Sequence, residues 1–116
     1  MSSVLVVGHD PAALSGADAE AVLASLDKEL VRFGERGIEA AVALVSCAPG
    51  AEATLVTALA EHPWDVVVVG GGIRKTEQLL TLFERIVNLI RRHAPQAAVA
   101  FNSGVDDSVA AAERWL

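Results

Sequence analysis

The sequence contains one cysteine, no tyrosine and few other aromatic residues. Because Cys47 has no second cysteine to pair with, no disulfide forms within the chain, and the sequence predicts a reducing, cytoplasmic location. Aromatic residues make up 4% of the chain and hydrophobic residues 53%, so the core must be built mainly from Val, Leu, Ile and Ala. That hydrophobic content also excludes a disordered chain.

Long apolar runs are also missing. No apolar stretch approaches the roughly 18–20 residues that a helix needs to span a membrane. The opening MSSVLVVGHD has no basic segment and reaches Gly8 after a short apolar run, so it predicts a first strand rather than a signal peptide. We therefore expect no membrane partner.

Positive charge is scarce and unevenly placed. The chain has 9 basic and 15 acidic side chains and a net charge of -6, which argues against nucleic acid as a partner. All of the negative excess lies in residues 1–69, whereas residues 70–116 have one more basic than acidic side chain. No spacing of His, Cys, Asp and Glu resembles a metal site, and we expect neither a metal nor a cofactor.

Four short apolar runs predict strands that are buried on both faces. After them, apolar residues spaced by three and four predict amphipathic helices, and the first three end near a glycine or a proline. The predicted strands cover residues 4–7, 38–45, 66–69 and 97–101. The predicted helices cover residues 12–33, 51–61, 76–93 and 107–115, the last with Asp106 as its N-cap.

This alternation of strands and helices predicts an α/β protein with three layers, α/β/α, in one domain covering residues 1–116. Right-handed crossovers favour a four-stranded, mostly parallel sheet with four helices and the flavodoxin-like strand order 2-1-3-4. In this order the fourth strand lies at an edge. It must then be short, covered, or paired with another subunit.

The predicted helix over residues 76–93 is apolar around about half of its circumference, which is more than one sheet face requires. Leu82 and Leu89 lie at one margin of this apolar arc. Two interpretations stay open. The margin contacts a neighbouring helix of the same chain, or it forms a homodimer interface.

The polar residues with possible site chemistry follow the strands. In open parallel sheets, ligands bind beyond the carboxyl ends of the strands, where the strand order reverses. Here that point lies between the first and third strands, and Cys47 follows the second on the same edge. The predicted ligand-binding residues are Gly8, His9, Asp10, Gly70, Gly71, Gly72, Arg74, Asn102 and Ser103.

The segment from Gly70 to Arg74, GGGIR, has the composition of an anion-binding loop. Glycines let the backbone approach a phosphate or carboxylate, and Arg74 offers a bidentate contact. The spacing, however, matches neither established phosphate motif. The dinucleotide fingerprint needs glycine at Lys75, and a P-loop ending at Lys75-Thr76 needs glycine at Val69 and Arg74. A tight turn followed by two solvated basic residues explains the segment equally well.

Three functions follow from these residues. The first is a small binding or regulatory module that holds a small anionic or nucleotide-like ligand at this edge. The second is a lyase, isomerase or hydrolase with His9 as acid and base and Arg74 as anion clamp. The third is a homodimeric interaction module that uses the helix over residues 76–93. We favour the binding module over the enzyme, and whether the protein has any catalytic activity stays open.

The layout resembles that of response-regulator receiver domains, but their chemistry is missing. Gly70 to Gly72 stand where receivers carry the phospho-accepting aspartate, and Asp10 is the only acidic residue after the first strand. A closer resemblance is to small bacterial flavodoxin-like or Rossmann-like proteins of uncharacterised function. Gly70, Gly72, Arg74, His93-Ala94-Pro95 and Phe101-Asn102 carry it. That resemblance implies a common fold and edge and names no reaction.

Overall fold

A computed structural model describes residues 2–10 and 18–116. The strands are β1 (Ser3–His9), β2 (Glu39–Val45), β3 (Val66–Val69) and β4 (Ala98–Phe101). The α-helices are α1 (Asp18–Glu35), α2 (Ala51–Ala60), α3 (Gly71–Arg74), α4 (Leu80–His93) and α5 (Ser108–Glu113). Two short 3₁₀ turns, Glu77–Leu79 and Val105–Asp107, lead into α4 and α5.

The sheet has four strands in the order β2-β1-β3-β4, and every pair is parallel, so the predicted topology is confirmed. Side chains along β1 alternate between the two faces. Leu5 and Val7 pack with α2 and α4, whereas Val4 and Val6 pack with α1 and α5. Because helices cover both faces, the strands read as continuous apolar runs.

The end of α1 follows from its glycines. Gly37 has a φ of 69°, a conformation that glycine adopts without steric cost. The N–H of Ile38 donates to the Phe33 carbonyl at 2.9 Å and the N–H of Gly37 to the Gly34 carbonyl at 3.0 Å, which closes the helix with a Schellman motif. At its other end, the described part of α1 begins at Asp18, and the predicted residues 12–17 lie outside the described residues.

The prediction of a single helix over residues 76–93 was wrong in its first turn. The glycines after β3 form the separate helical turn α3, and the chain is extended at Thr76, with φ -99° and ψ 112°. The α-helix α4 then begins at Leu80. The described chain therefore has five α-helices rather than the predicted four.

Leu82 and Leu89 are half-buried. Both pack against the core on the face of α2 and α4, and both line a groove between these two helices. For this margin of the apolar arc, the contact is therefore with a neighbouring helix of the same chain. Within residues 2–10 and 18–116, no helix is long and apolar enough to span a lipid bilayer.

Candidate functional site

A pocket of about 250 Å³ lies at the predicted position, where the strand order reverses between β1 and β3. We call it the rim pocket. It is lined by six of the nine predicted residues, namely Gly8, His9, Gly70, Gly71, Gly72 and Asn102. The sequence interpretation missed its other lining residues, which are Val6, Val7, Val22, Leu26 and Thr76. Asp10, Arg74 and Ser103 do not line it.

The glycines after β3 are needed for close backbone approach. A side-chain carbon on Gly70 would lie 3.2 Å from the Val7 carbonyl oxygen, and one on Gly71 would lie 3.1 Å from the Ser103 carbonyl oxygen. Gly70 itself is extended, with φ -69° and ψ 148°, so no left-handed conformation is involved. Gly72 faces open space. The backbone therefore passes close to β1 on one side and to Ser103 on the other.

Asn102 is an internal connector. Its side-chain carbonyl accepts the Gly71 N–H at 2.9 Å, and its amide donates to the Ser108 hydroxyl at 2.9 Å. Only 2% of its surface is exposed. Since both ends of the amide are used within the chain, Asn102 shapes the wall of the rim pocket and has little capacity left for a ligand.

The contacts of Asn102 extend into a buried polar chain of four residues, Glu29, Ser108, Asn102 and Gly71. The carboxylate of Glu29, on α1, accepts the Ser108 N–H at 3.0 Å at the start of α5. Arg32 pairs with the same carboxylate at 2.7 Å. An acidic group at a helix N-terminus is favourable, and here it comes from another helix. This chain connects α1, α5, β4 and α3 through the interior.

Arg74 is turned away from the rim pocket. Its guanidinium donates from Nη2 to the Asn102 backbone carbonyl and lies 5.8 Å from the centre of the Phe101 ring. The ammonium of Lys75 donates to the Ser103 carbonyl. The two basic residues therefore fasten the end of β3 to the loop after β4. His9 and Arg74 do not face one shared pocket, so the geometry does not favour the enzyme hypothesis built on that pair.

Asp107 closes the loop after β4. Its carboxylate accepts the hydroxyl of Ser103 at 2.6 Å and the N–H groups of Ser103 and Gly104 at 3.0 Å. Burial on its own raises the pKa of Asp107, but these hydrogen bonds outweigh it and lower the pKa from 3.8 to about 2. The prediction of Asp106 as the cap was wrong, because α5 begins at Ser108 and Asp107 makes these bonds.

His9 and Asp10 end the first strand. His9 pairs with Val45 in the sheet register, is half-buried and is one of the residues that line the rim pocket. Within the described ranges, the imidazole forms no hydrogen bond or ion pair, so its nitrogens are available to a ligand. The N–H of Asp10 donates to the Val45 carbonyl at 2.7 Å, which extends the pairing of β1 with β2.

Cys47 lies on the other side of the sheet. It is exposed and lines a second pocket of about 240 Å³ together with Leu55 of α2 and Leu82 and Arg85 of α4. Cys47 and His9 line different pockets, so they are not combined into one site, although they lie at the ends of neighbouring strands. Among residues 2–10 and 18–116, no three His, Cys, Asp or Glu side chains are grouped to hold a metal ion.

Comparison with protein-family models, with curated proteins and with solved structures finds no match for this chain. The fold and the site geometry are therefore the basis for a functional proposal. The resemblance to small bacterial flavodoxin-like or Rossmann-like proteins stays a prediction.

Proposed function

We propose that this protein is a small binding module that holds a compact anionic metabolite in the rim pocket. The observation that carries the proposal is the convergence of six predicted residues on one cavity at the reversal of strand order. Ligands of open parallel sheets bind at this position.

The lining of the rim pocket supports a ligand with two unlike ends. Val22 and Leu26 of α1 offer an apolar wall. The other lining residues include His9, which carries an imidazole, Thr76, which carries a hydroxyl, and Gly72. His9 and the Gly72 N–H are the groups that we assign to the anionic end of the ligand, since Gly72 leaves room for close approach.

The size of the cavity supports a small ligand over a nucleotide. Pockets for drug-sized molecules occupy about 300–1,000 Å³, and the rim pocket has about 250 Å³. A small organic acid or a phosphorylated three- or four-carbon compound suits this volume better than a nucleotide does.

The test is a titration of the full chain with a panel of small carboxylates, phosphorylated small acids and mononucleotides, followed by calorimetry and by backbone amide chemical shifts. We expect a carboxylate or small phosphate to bind and to shift the amides of Gly8, His9 and Gly72. His9→Ala should weaken this binding, because it removes the one lining side chain that donates or accepts through a ring nitrogen.

A matched pair of variants on α1 separates this pocket from the rest of the surface. Val22→Phe fills the pocket and should abolish binding, whereas Leu23→Phe enlarges an exposed side chain next to it and should leave binding unchanged. Binding that survives Val22→Phe, or a panel in which only mononucleotides bind, would contradict the proposal.

A further inference from the structure

The edge strand β4 presents open backbone groups. The Ala98 N–H donates to the Asp65 carbonyl at 2.9 Å, so Ala98, and with it Ala100, is directed towards β3. Val99 and Phe101 alternate with them and are directed outwards. Arg114 donates to the outward Phe101 carbonyl at 3.0 Å. The N–H and carbonyl of Val99 and the N–H of Phe101 are therefore open to pairing, and no strand of the described chain lies beyond them.

An apolar stripe lies beside this edge. At about 100° per residue, Leu80, Phe83 and Val87 share the flank of α4 that faces away from α2. Phe83 meets Phe101 of β4 edge-on, with ring centres 5.9 Å apart. Leu80 is 62% exposed and Phe101 40% exposed. The strand edge and the helix flank therefore form one surface with an apolar centre.

The helix and the strand of this surface have a common midpoint. Phe83 and Phe101 are at the same height because their rings touch. The two residues from Phe101 back to Val99 span about 6.6 Å along β4. The four residues from Phe83 on to Val87 span about 6 Å along α4. Val99 is therefore level with Val87, since the two elements run in opposite directions.

The charges of the surface are self-complementary about that midpoint. Glu84 lies three residues before Val87 and Arg91 lies four residues after it, on the same outer margin of α4. Both are exposed, and neither forms an ion pair within residues 2–10 and 18–116. A twofold axis through the midpoint places Glu84 of one copy against Arg91 of the other. Because the axis relates the two copies, this contact between unlike charges occurs twice.

The other edge of the sheet has the opposite character. Exposed Glu39 begins β2, and Glu61 follows α2 beside β2. Both residues are acidic and lie at the same end of β2, because His62 next to Glu61 is 3.8 Å from Glu39, so they do not provide the self-complementary unlike charges that Glu84 and Arg91 provide beside β4. A copy that joined its β2 to the β4 of another would leave further free edges and grow into a filament.

From these observations we propose that a second copy of this chain binds to β4. The two β4 strands pair antiparallel about a twofold axis beside Val99 and Val87, and the sheet continues to eight strands. The outward groups of Val99 and Phe101 gain hydrogen-bond partners, and the apolar stripe of each α4 is covered by the other. The Leu82 and Leu89 margin takes no part in this interface.

The test is the mass of the full chain in solution, by light scattering during gel filtration and by sedimentation, over a range of concentrations. We expect twice the monomer mass for the wild type. Leu80→Glu places charges in the apolar stripe and should give a monomer. Val31→Glu is the matched control, because Val31 is 64% exposed but lies on α1, and this variant should stay a dimer.

Two further sets of variants test the geometry. Val99→Pro removes an outward N–H and no hydrogen bond to β3, and it keeps an apolar side chain at the core, so the folded monomer should persist by circular dichroism while the dimer is lost. Glu84→Arg and Arg91→Glu should each weaken the dimer by about fivefold or more, and the double variant should restore it. A monomeric wild type, a mass that grows beyond the dimer, or a dimer that survives both Leu80→Glu and Val99→Pro would overturn the proposal.

Discussion

At the carboxyl edge of the sheet, the ends of β3 and β4 are fastened to each other, whereas the end of β1 lies open beside them. We call Gly71, Arg74, Lys75, Asn102 and Ser103 the tied half, because each contacts another member of the set. We call Gly8, His9, Gly72 and Thr76 the open half; these four line the rim pocket, as Gly71 and Asn102 of the tied half also do.

The difference between the two halves shows that residue type alone does not identify a site. Arg74 and Asn102 have ideal ligand-binding chemistry, but both ends of the Asn102 amide are used within the protein, and Arg74 donates to the Asn102 carbonyl and lies over the Phe101 ring. His9 and Gly72 have capacity to spare. We therefore expect changes in the tied half to lower stability, and changes in the open half to alter binding.

The largest effect is expected from Asn102→Ala. The change leaves the buried Gly71 N–H without its partner, at about 1–3 kcal/mol, and removes the bond to the Ser108 hydroxyl. The free energy of unfolding should fall by about 2–4 kcal/mol in urea denaturation. Asn102→Asp keeps an acceptor for the Gly71 N–H, so its free energy of unfolding should lie between those of the wild type and Asn102→Ala. Equal stability of Asn102→Ala and the wild type would show that the tied half is not held by this side chain.

The glycines offer a matched pair across the two halves. A methyl group on Gly71 meets the Ser103 backbone carbonyl at 3.1 Å, so Gly71→Ala should destabilise by about 1–2 kcal/mol. A methyl group on Gly72 meets open space in a helical turn, so Gly72→Ala should be neutral or stabilise by up to about 1 kcal/mol. Equal changes in the unfolding midpoint of the two variants would contradict the expected difference in stability between the tied half and the open half.

A smaller effect is expected from acid. The pKa of Asp107 is about 2 in the folded protein and 3.8 as its ordinary value, so the carboxylate stabilises the fold above pH 3.8. This contribution is lost as the pH falls from 3.8 towards 2. After solvent screening we expect about 1 kcal/mol. In Asp107→Asn, the free energy of unfolding should not show this fall between pH 3.8 and pH 2. If the free energy of unfolding changed with pH in the same way in the variant and the wild type, Asp107 would not make this contribution.

The smallest effect on stability is expected in the open half. His9→Ala removes a side chain without hydrogen-bond partners among the described residues, and the free energy of unfolding should stay within about 0.5 kcal/mol of the wild type. Thermal and urea denaturation measure this. A loss similar to that of Asn102→Ala would mean that the end of β1 is as firmly held as the tied half.

The strands and their order could be predicted from the sequence because the signals are local. The run of valines in β3 has the predicted bounds, since helices bury both faces of this central strand. The α3 turn was missed because glycine has a low helix propensity. The burial of Ile73 and the hydrogen bond that the first N–H of the turn donates to Asn102 stabilise the turn despite this low propensity.

The partners within the site could not be predicted, because they are distant in the sequence. Asn102 is separated from Gly71 by 31 positions, and Glu29 from Ser108 by 79. No pattern along the chain relates such residues. The one available signal for Thr76 was its spacing of four from Gly72, and the Thr76 hydroxyl does donate to the Gly72 carbonyl at 2.7 Å.

The buried polar chain from Glu29 to Gly71 also bears on how the protein folds and unfolds. Its contacts form only after wide loops have closed, which costs entropy and delays them. We expect them to be absent from the transition state for folding, so that their loss speeds unfolding and leaves the folding rate nearly unchanged. Asn102 then sets the lifetime of the native state, and with it the resistance of the protein to proteolysis.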